Sequence, residues 1–234
     1  MSARRARPLY RLTATAITFA AVIALTGCAQ ALDLFNDGQA VQSITPPAPT
    51  DATTEPPQFE SAFTRDGSVS LSTEVADDLE VRLDVWAHAP KRTMQWHPSG
   101  EKSFGFAVNV HDHRVDEKAI LAQKRRVYIS QVSITSQTAQ RSAQTSAPFQ
   151  FDADPRALVP TDTLRSDRGL LLNSFQGGLL VPETAIHELP EDTYGISLQF
   201  TLTVSVEGAA NDDASFSQQT VHQVLPIAIH SSET

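Results

Sequence analysis

The chain has 234 residues, 41% hydrophobic and 19% charged, which suits one globular domain of ordinary size and argues against wholesale disorder. Its formal net charge is −9 at pH 7; an acidic surface repels phosphate backbones, so nucleic acid is set aside as a partner. Cys28 is the single cysteine, which rules out an intrachain disulfide and any metal site built on several thiolates.

Residues 1–27 hold Arg4, Arg5, Arg7 and Arg11 and no acid. An apolar run over residues 12–25 follows. At about 14 residues it is shorter than the ~20 that a permanent spanning helix needs. A basic start, a short apolar stretch and small residues at its end make a three-part export signal. The run closes on Leu25-Thr26-Gly27-Cys28. This tetrapeptide resembles the lipobox of bacterial lipoproteins, in which a branched apolar residue and two small residues precede a cysteine. The resemblance covers the signal alone and implies nothing about the fold downstream. It implies cleavage before Cys28, a covalent diacylglycerol on the Cys28 sulfur with palmitate-type acyl chains and no other cofactor, and a place at the extracytoplasmic face of a cell membrane. Acyl chains contribute ~0.8 kcal/mol per buried CH₂, so two or three of them hold a protein firmly. Removing the four signal arginines from the 18 basic residues leaves 14 against 27 acids, about −13 for the mature chain. Such a chain stands off anionic headgroups.

Residues 28–66 are predicted to be a disordered tether. Pro46, Pro47, Pro49, Pro56 and Pro57 are interleaved with threonine and acids, and proline removes backbone donors and favours extended chain. From Cys28 to Thr64 such a chain spans roughly 33 Å as a coil and at most about 110 Å as polyproline II.

Residues 67–234 are predicted to form a domain of half-buried strands. The first strand is expected over residues 69–75. In the next, Leu79, Val81, Leu83 and Val85 alternate with Glu80, Arg82, Asp84 and Trp86. Phe104, Phe106, Val108 and Val110 form another buried row. Residues 116–124 (DEKAILAQK) read as about two turns of helix. A strand over 127–135 changes phase between Ile129 and Val132, which predicts a bulge near Ser130 and Gln131. Short strands at 148–151 and 169–175 flank an irregular stretch over 153–168. Residues 196–206 alternate without error, with Ile196, Leu198, Phe200, Leu202, Val204 and Val206 on one side. A final strand over 216–229 contains Pro226, which predicts an edge strand or a break. With no βαβ rhythm, the pattern predicts an all-β, immunoglobulin-like antiparallel β-sandwich of about seven or eight strands.

Two histidines at i and i+2, His111 and His113, share one side of a strand, a spacing a zinc or copper site can use. They face outward, and His88 on the polar face of the preceding strand is the candidate third ligand. Asp152-Ala153-Asp154 and Asn211-Asp212-Asp213 lack calcium-loop spacing and read as turn formers. Gly100-Glu101-Lys102-Ser103 lacks the spacing of a phosphate loop and leads into a strand. No GxSxG, HExxH or SxxK motif is present. Trp86 and Trp96, with His97 and Pro98, are candidates for an aromatic patch that binds sugar or peptide. The resulting expectation is a membrane-anchored extracytoplasmic lipoprotein, a non-enzymatic binding or protein-interaction module of the cell envelope with an envelope protein or glycan as partner. Two alternatives stand beside it: an extracytoplasmic metal-binding protein using His111 and His113, and an envelope hydrolase with catalytic residues dispersed in sequence.

Overall fold

Period-two alternation is realised as two antiparallel sheets that close on a shared core. The computed structural model describes residues 58–63, 66–173 and 178–231; the stretch read as an export signal, Cys28, and the stretch read as a tether as far as residue 57 lie outside the described residues. In chain order the strands are β1 (Ser68–Ala76), β2 (Leu79–Ala87), β3 (Lys102–Asp112), β4 (Val127–Gln140), β5 (Gln150–Ala153), β6 (Arg165–Ser166), β7 (Gly169–Leu171), β8 (Leu179–Ile186), β9 (Thr193–Glu207) and β10 (Phe216–Ala228), with one helical turn, α1 (Pro155–Leu158), after β5. One sheet has the order β1-β2-β3-β8; the other has the order β10-β9-β4-β7-β6, with β5 also paired to β4. This is an all-β sandwich.

The inward residues of β2, β3, β4 and β9 meet between the layers. Leu83, Phe106, Ile134 and Phe200 are almost wholly buried. The ring of Phe106 meets that of Phe200 edge-on, centroids 5.6 Å apart, across the sheet-to-sheet space. Every even residue from Ile196 to Val206 is buried, while Gln199 is exposed and the other odd residues are half-buried.

The bulge stands where the phase change placed it: the β4–β9 register shifts between Ile129 and Gln131. Val127, Ile129, Val132 and Ile134 therefore all face the core. Gly169, at φ +127°, closes over this bulge, and a Cβ there would lie 2.1 Å from the Ile129 carbonyl oxygen. Pro226 also sits as expected. It lies in β10, the outer strand of its sheet, opposite Ser197.

Several elements differ from the sequence reading. β8 was not expected, because Pro182 interrupts its pattern. It survives as the outer strand of the four-stranded sheet, where proline is tolerated. The stretch 153–168 is more ordered than its composition suggests. Asp154 caps α1 by accepting from the Arg156 backbone N–H at 2.9 Å, and β6 returns the chain to β7. The helix expected over 116–124 is a turn followed by a short 3₁₀ segment, Leu121–Gln123. Asp116 captures the Lys118 N–H at 2.7 Å, Ile120 is extended, and its exposed side chain has no core to pack against. The first three strands run as a meander in one sheet, whereas the immunoglobulin order sends its third strand, C, to the opposite sheet.

Residues 58–63 fall within the stretch read as tether, and they pack on the domain. Phe63 is buried, with its ring edge-on to Trp96 at 5.7 Å. The Phe59 ring lies over Gly195 and meets Tyr194 at 6.0 Å.

Phe200→Ala is expected to open a cavity between the sheets and destabilise the domain by about 3–5 kcal/mol. Thr201→Ala, on the outer face, should stay within about 0.5 kcal/mol of the parent. Urea unfolding measures both, and equal losses would contradict a strand buried on one face only.

Candidate functional site

His111 and His113 project from the outer face at the end of β3, their rings stacked with centroids 6.3 Å apart. Glu80 of β2 lies directly opposite His111. Its Oε2 is 3.1 Å from His113 Nε2, and its Oε1 accepts from the Ser72 hydroxyl at 2.6 Å. Hydrogen bonds from Ser72 and then His113 hold the Glu80 carboxyl below its usual value. His111 Nδ1 is 3.9 Å from Glu117 Oε1. Each imidazole thus has its own carboxylate.

The expected third ligand is elsewhere. His88 follows the far end of β2, where its N–H donates to the Ser103 carbonyl at 2.9 Å and its ring lies 3.9 Å from Glu183. From Glu80 to His88 is roughly 26 Å of strand at ~3.3 Å per residue. Among the described residues, no three His, Cys, Asp or Glu side chains converge to hold a metal ion.

The structure also separates the two tryptophans. Trp86 is half-buried on the outer face of the four-stranded sheet, lying over Gly105, where a Cβ would come within 2.7 Å of the ring. Trp96 is buried in the core against Phe63. They do not form one patch. Of the acidic stretches, Asp212 acts as a turn former, accepting from the Ala214 N–H at 3.0 Å; Asp152 and Ala153 instead belong to β5, where Asp152 accepts from the Gln131 amide at 2.8 and 3.0 Å, and Asp154 caps α1.

The residues that sequence reasoning passed over are buried charges at the rims of the sandwich. Lys102, wholly buried, turns its ammonium back onto its own loop and donates to the carbonyls of His97 and Pro98, each at 3.1 Å, and of Gly100. Its three protons go to three internal carbonyls. Burial pulls its pKa down to about 8.

At the other end of β3, Asp112 receives a fork from the buried Arg125 guanidinium. Nε donates to Oδ2 at 3.0 Å, Nη2 to Oδ1 at 2.6 Å, and the Arg125 backbone N–H adds a bond to Oδ2 at 3.1 Å. Burial alone would raise the Asp112 carboxyl. The bonds from Arg125, with one from Arg114, outweigh it and hold the group well below the usual carboxylate range. Arg126 turns the other way and donates to the buried Glu207 at 2.5 Å and to Asp213 at 2.7 Å. Asn173 bridges this rim, donating to the Arg125 carbonyl at 2.6 Å and accepting from the Val127 N–H at 3.1 Å. One signal for this rim and for Lys102 was in the sequence: Lys102 and Asp112 share the even parity of Phe104, Phe106 and Val108.

Two recesses lie at the surface. One, of about 310 Å³, is bounded by His111, His113, Glu117, Lys124 and Asn173. The other, a groove of about 590 Å³, lies on the outer face of the six-stranded sheet between β4, β9 and β10. A scan against models of protein families and a search of curated proteins find no match to this chain.

Asp112→Asn tests the buried pair. It leaves Arg125 without its counter-charge and is expected to destabilise the domain by about 3–5 kcal/mol near neutral pH. Because the folded carboxyl titrates below its unfolded value, its contribution is complete above about pH 4 and is lost as pH falls further. The gap between parent and variant in urea midpoints should therefore narrow below about pH 4. A gap that stays constant down to about pH 2 would show that Asp112 is not the titrating anchor.

Proposed function

We propose that this chain is a lipoprotein of the bacterial cell envelope, anchored through a diacylglycerol on Cys28 at the extracytoplasmic face of a membrane, with its β-sandwich serving as a non-enzymatic binding module. The observation that carries this reading is the position of the single cysteine. It stands directly after Leu25-Thr26-Gly27, behind a basic start and an apolar run too short to remain as a membrane span. The proline-rich chain between Cys28 and Phe59 supports it as a spacer that separates domain from headgroups. The acidity of the mature chain supports a domain held away from an anionic surface.

Metabolic labelling with a fatty acid tests the anchor. The parent chain is expected to take up label and to begin at Cys28 after processing. Cys28→Ala should carry no label and remain uncleaved. Label persisting in that variant, or absent from the parent, would overturn the reading.

A further inference from the structure

The two outer faces of the sandwich differ in chemistry. On the four-stranded sheet the polar groups satisfy one another: Ser70 donates to Asp84, Arg82 Nε donates to Asp84 at 3.0 Å, Asn109 donates to Asp84 at 3.4 Å, and Ser72 donates to Glu80. The six-stranded sheet is built otherwise. The outward side chains of β9 are Ser197, Gln199, Thr201, Thr203 and Ser205. Among the described residues, neither these nor the β4 and β10 residues paired with them include a lysine, arginine, aspartate or glutamate. In a chain of net charge −9 the stretch of this face along β9 is uncharged; a carboxylate, Asp152 of β5, stands beside it opposite Ser133 and accepts from the Gln131 amide.

The groove lies within that face. Thr135 and Gln137 of β4, Ser197 and Gln199 of β9, Thr145 of the β4–β5 loop and Val224 of β10 line it. Its volume of about 590 Å³ falls in the range of small-ligand clefts. A second recess of about 310 Å³ shares Gln137, Thr145 and Ser197 with it and runs on to Tyr194. The two recesses together run along β4 and β9 from an exposed Val224 to Tyr194. Among the described residues, the side chains of Thr135, Gln137, Ser197 and Gln199 make no hydrogen bond to protein, so their donors and acceptors point outward unengaged.

We infer that this trough binds a neutral glycan chain. Each sugar hydroxyl both donates and accepts, as do amides and hydroxyls taken together. An uncharged, elongated trough excludes neither end of a polymer and gives no counter-charge to an acidic one. The inference deepens the binding-module reading by naming partner and site.

The test is affinity electrophoresis of the full-length chain in mild detergent, in native gels containing dextran, mannan or a β-glucan, with alginate as the acidic comparison. Retardation is expected with at least one neutral polymer and not with alginate. Gln137→Ala/Gln199→Ala should weaken it by roughly tenfold or more, as loss of two amide contacts implies, with an unchanged melting temperature. Thr145→Trp, which fills the trough from the loop, should weaken it independently. Ser70→Ala/Ser72→Ala on the opposite face should leave it unaltered. No retardation by any neutral polymer, retardation that both trough variants retain, or retardation by alginate alone would overturn the assignment. Self-association abolished by the trough variants, without glycan retardation, would also overturn it and give the face to a second copy of the chain. The gel reads the protein whether or not it is acylated, so failure of the lipid anchor and failure of this site are separate results.

Discussion

A guanidinium held inside the sandwich sets the path of the chain between its two sheets. Arg125 is 2% exposed, and a charge so placed requires a partner in fixed geometry. Asp112 supplies it from the last position of β3, and Arg125 stands two residues before β4. The pair therefore joins the end of a strand in one sheet to the approach to a strand in the other. The intervening residues run as turns and the short 3₁₀ segment Leu121–Gln123. Arg126 then points away from Arg125 and reaches Glu207 at the end of β9. Two adjacent arginines thus pin β4, the strand that shares its longest pairing with β9, to both layers. A buried pair of this kind selects one arrangement more than it adds net stability, because desolvation offsets much of its attraction.

β3 carries a second buried charge at its other end. Lys102 and Asp112 bracket Phe104, Phe106 and Val108 on the inward side. Inward parity meets the rim of the sandwich at both positions, where a long side chain can cover apolar surface while its head finds polar atoms. At the Asp112 end those atoms belong to an arginine. At the Lys102 end they are carbonyls of the preceding loop. This is why Gly100-Glu101-Lys102-Ser103 offers no cationic head to a phosphate: the ammonium is already surrounded by its own chain.

Where hydrophobic alternation was uninterrupted, the fold was legible. β9, the bulge at Ile129–Gln131 and the edge position of Pro226 all follow from side-chain parity and from the missing N–H of proline. β8 was obscured by Pro182, since the same rule that placed Pro226 at an edge speaks against a strand until a neighbour is known. The docking of Phe59 and Phe63 was hidden by the prolines before them, because composition averages over a window while burial is decided residue by residue. Of the candidate sites, the outward position of His111 and His113 was readable from parity. Their separation from His88 was readable too: antiparallel pairing of consecutive strands sets the end of β2 beside the start of β3, so His88 lies beside Ser103, not His111. The rim charges were readable in position but not in role, since parity puts Lys102 inward without saying what receives it.

The segment ahead of β1 also covers part of a sheet edge. β10 is an outer strand, and a long outer strand with free backbone groups invites pairing with another chain. The Ala62 N–H donates to the Pro226 carbonyl at 2.8 Å, while Pro226 itself has no N–H to offer. Phe63 fixes this contact by burying its ring against Trp96, whose own carbonyl accepts from the His230 N–H at 2.8 Å just beyond β10. Residues 58–63 thus occupy the outer edge of β10 at Pro226 and close that position to pairing with another chain.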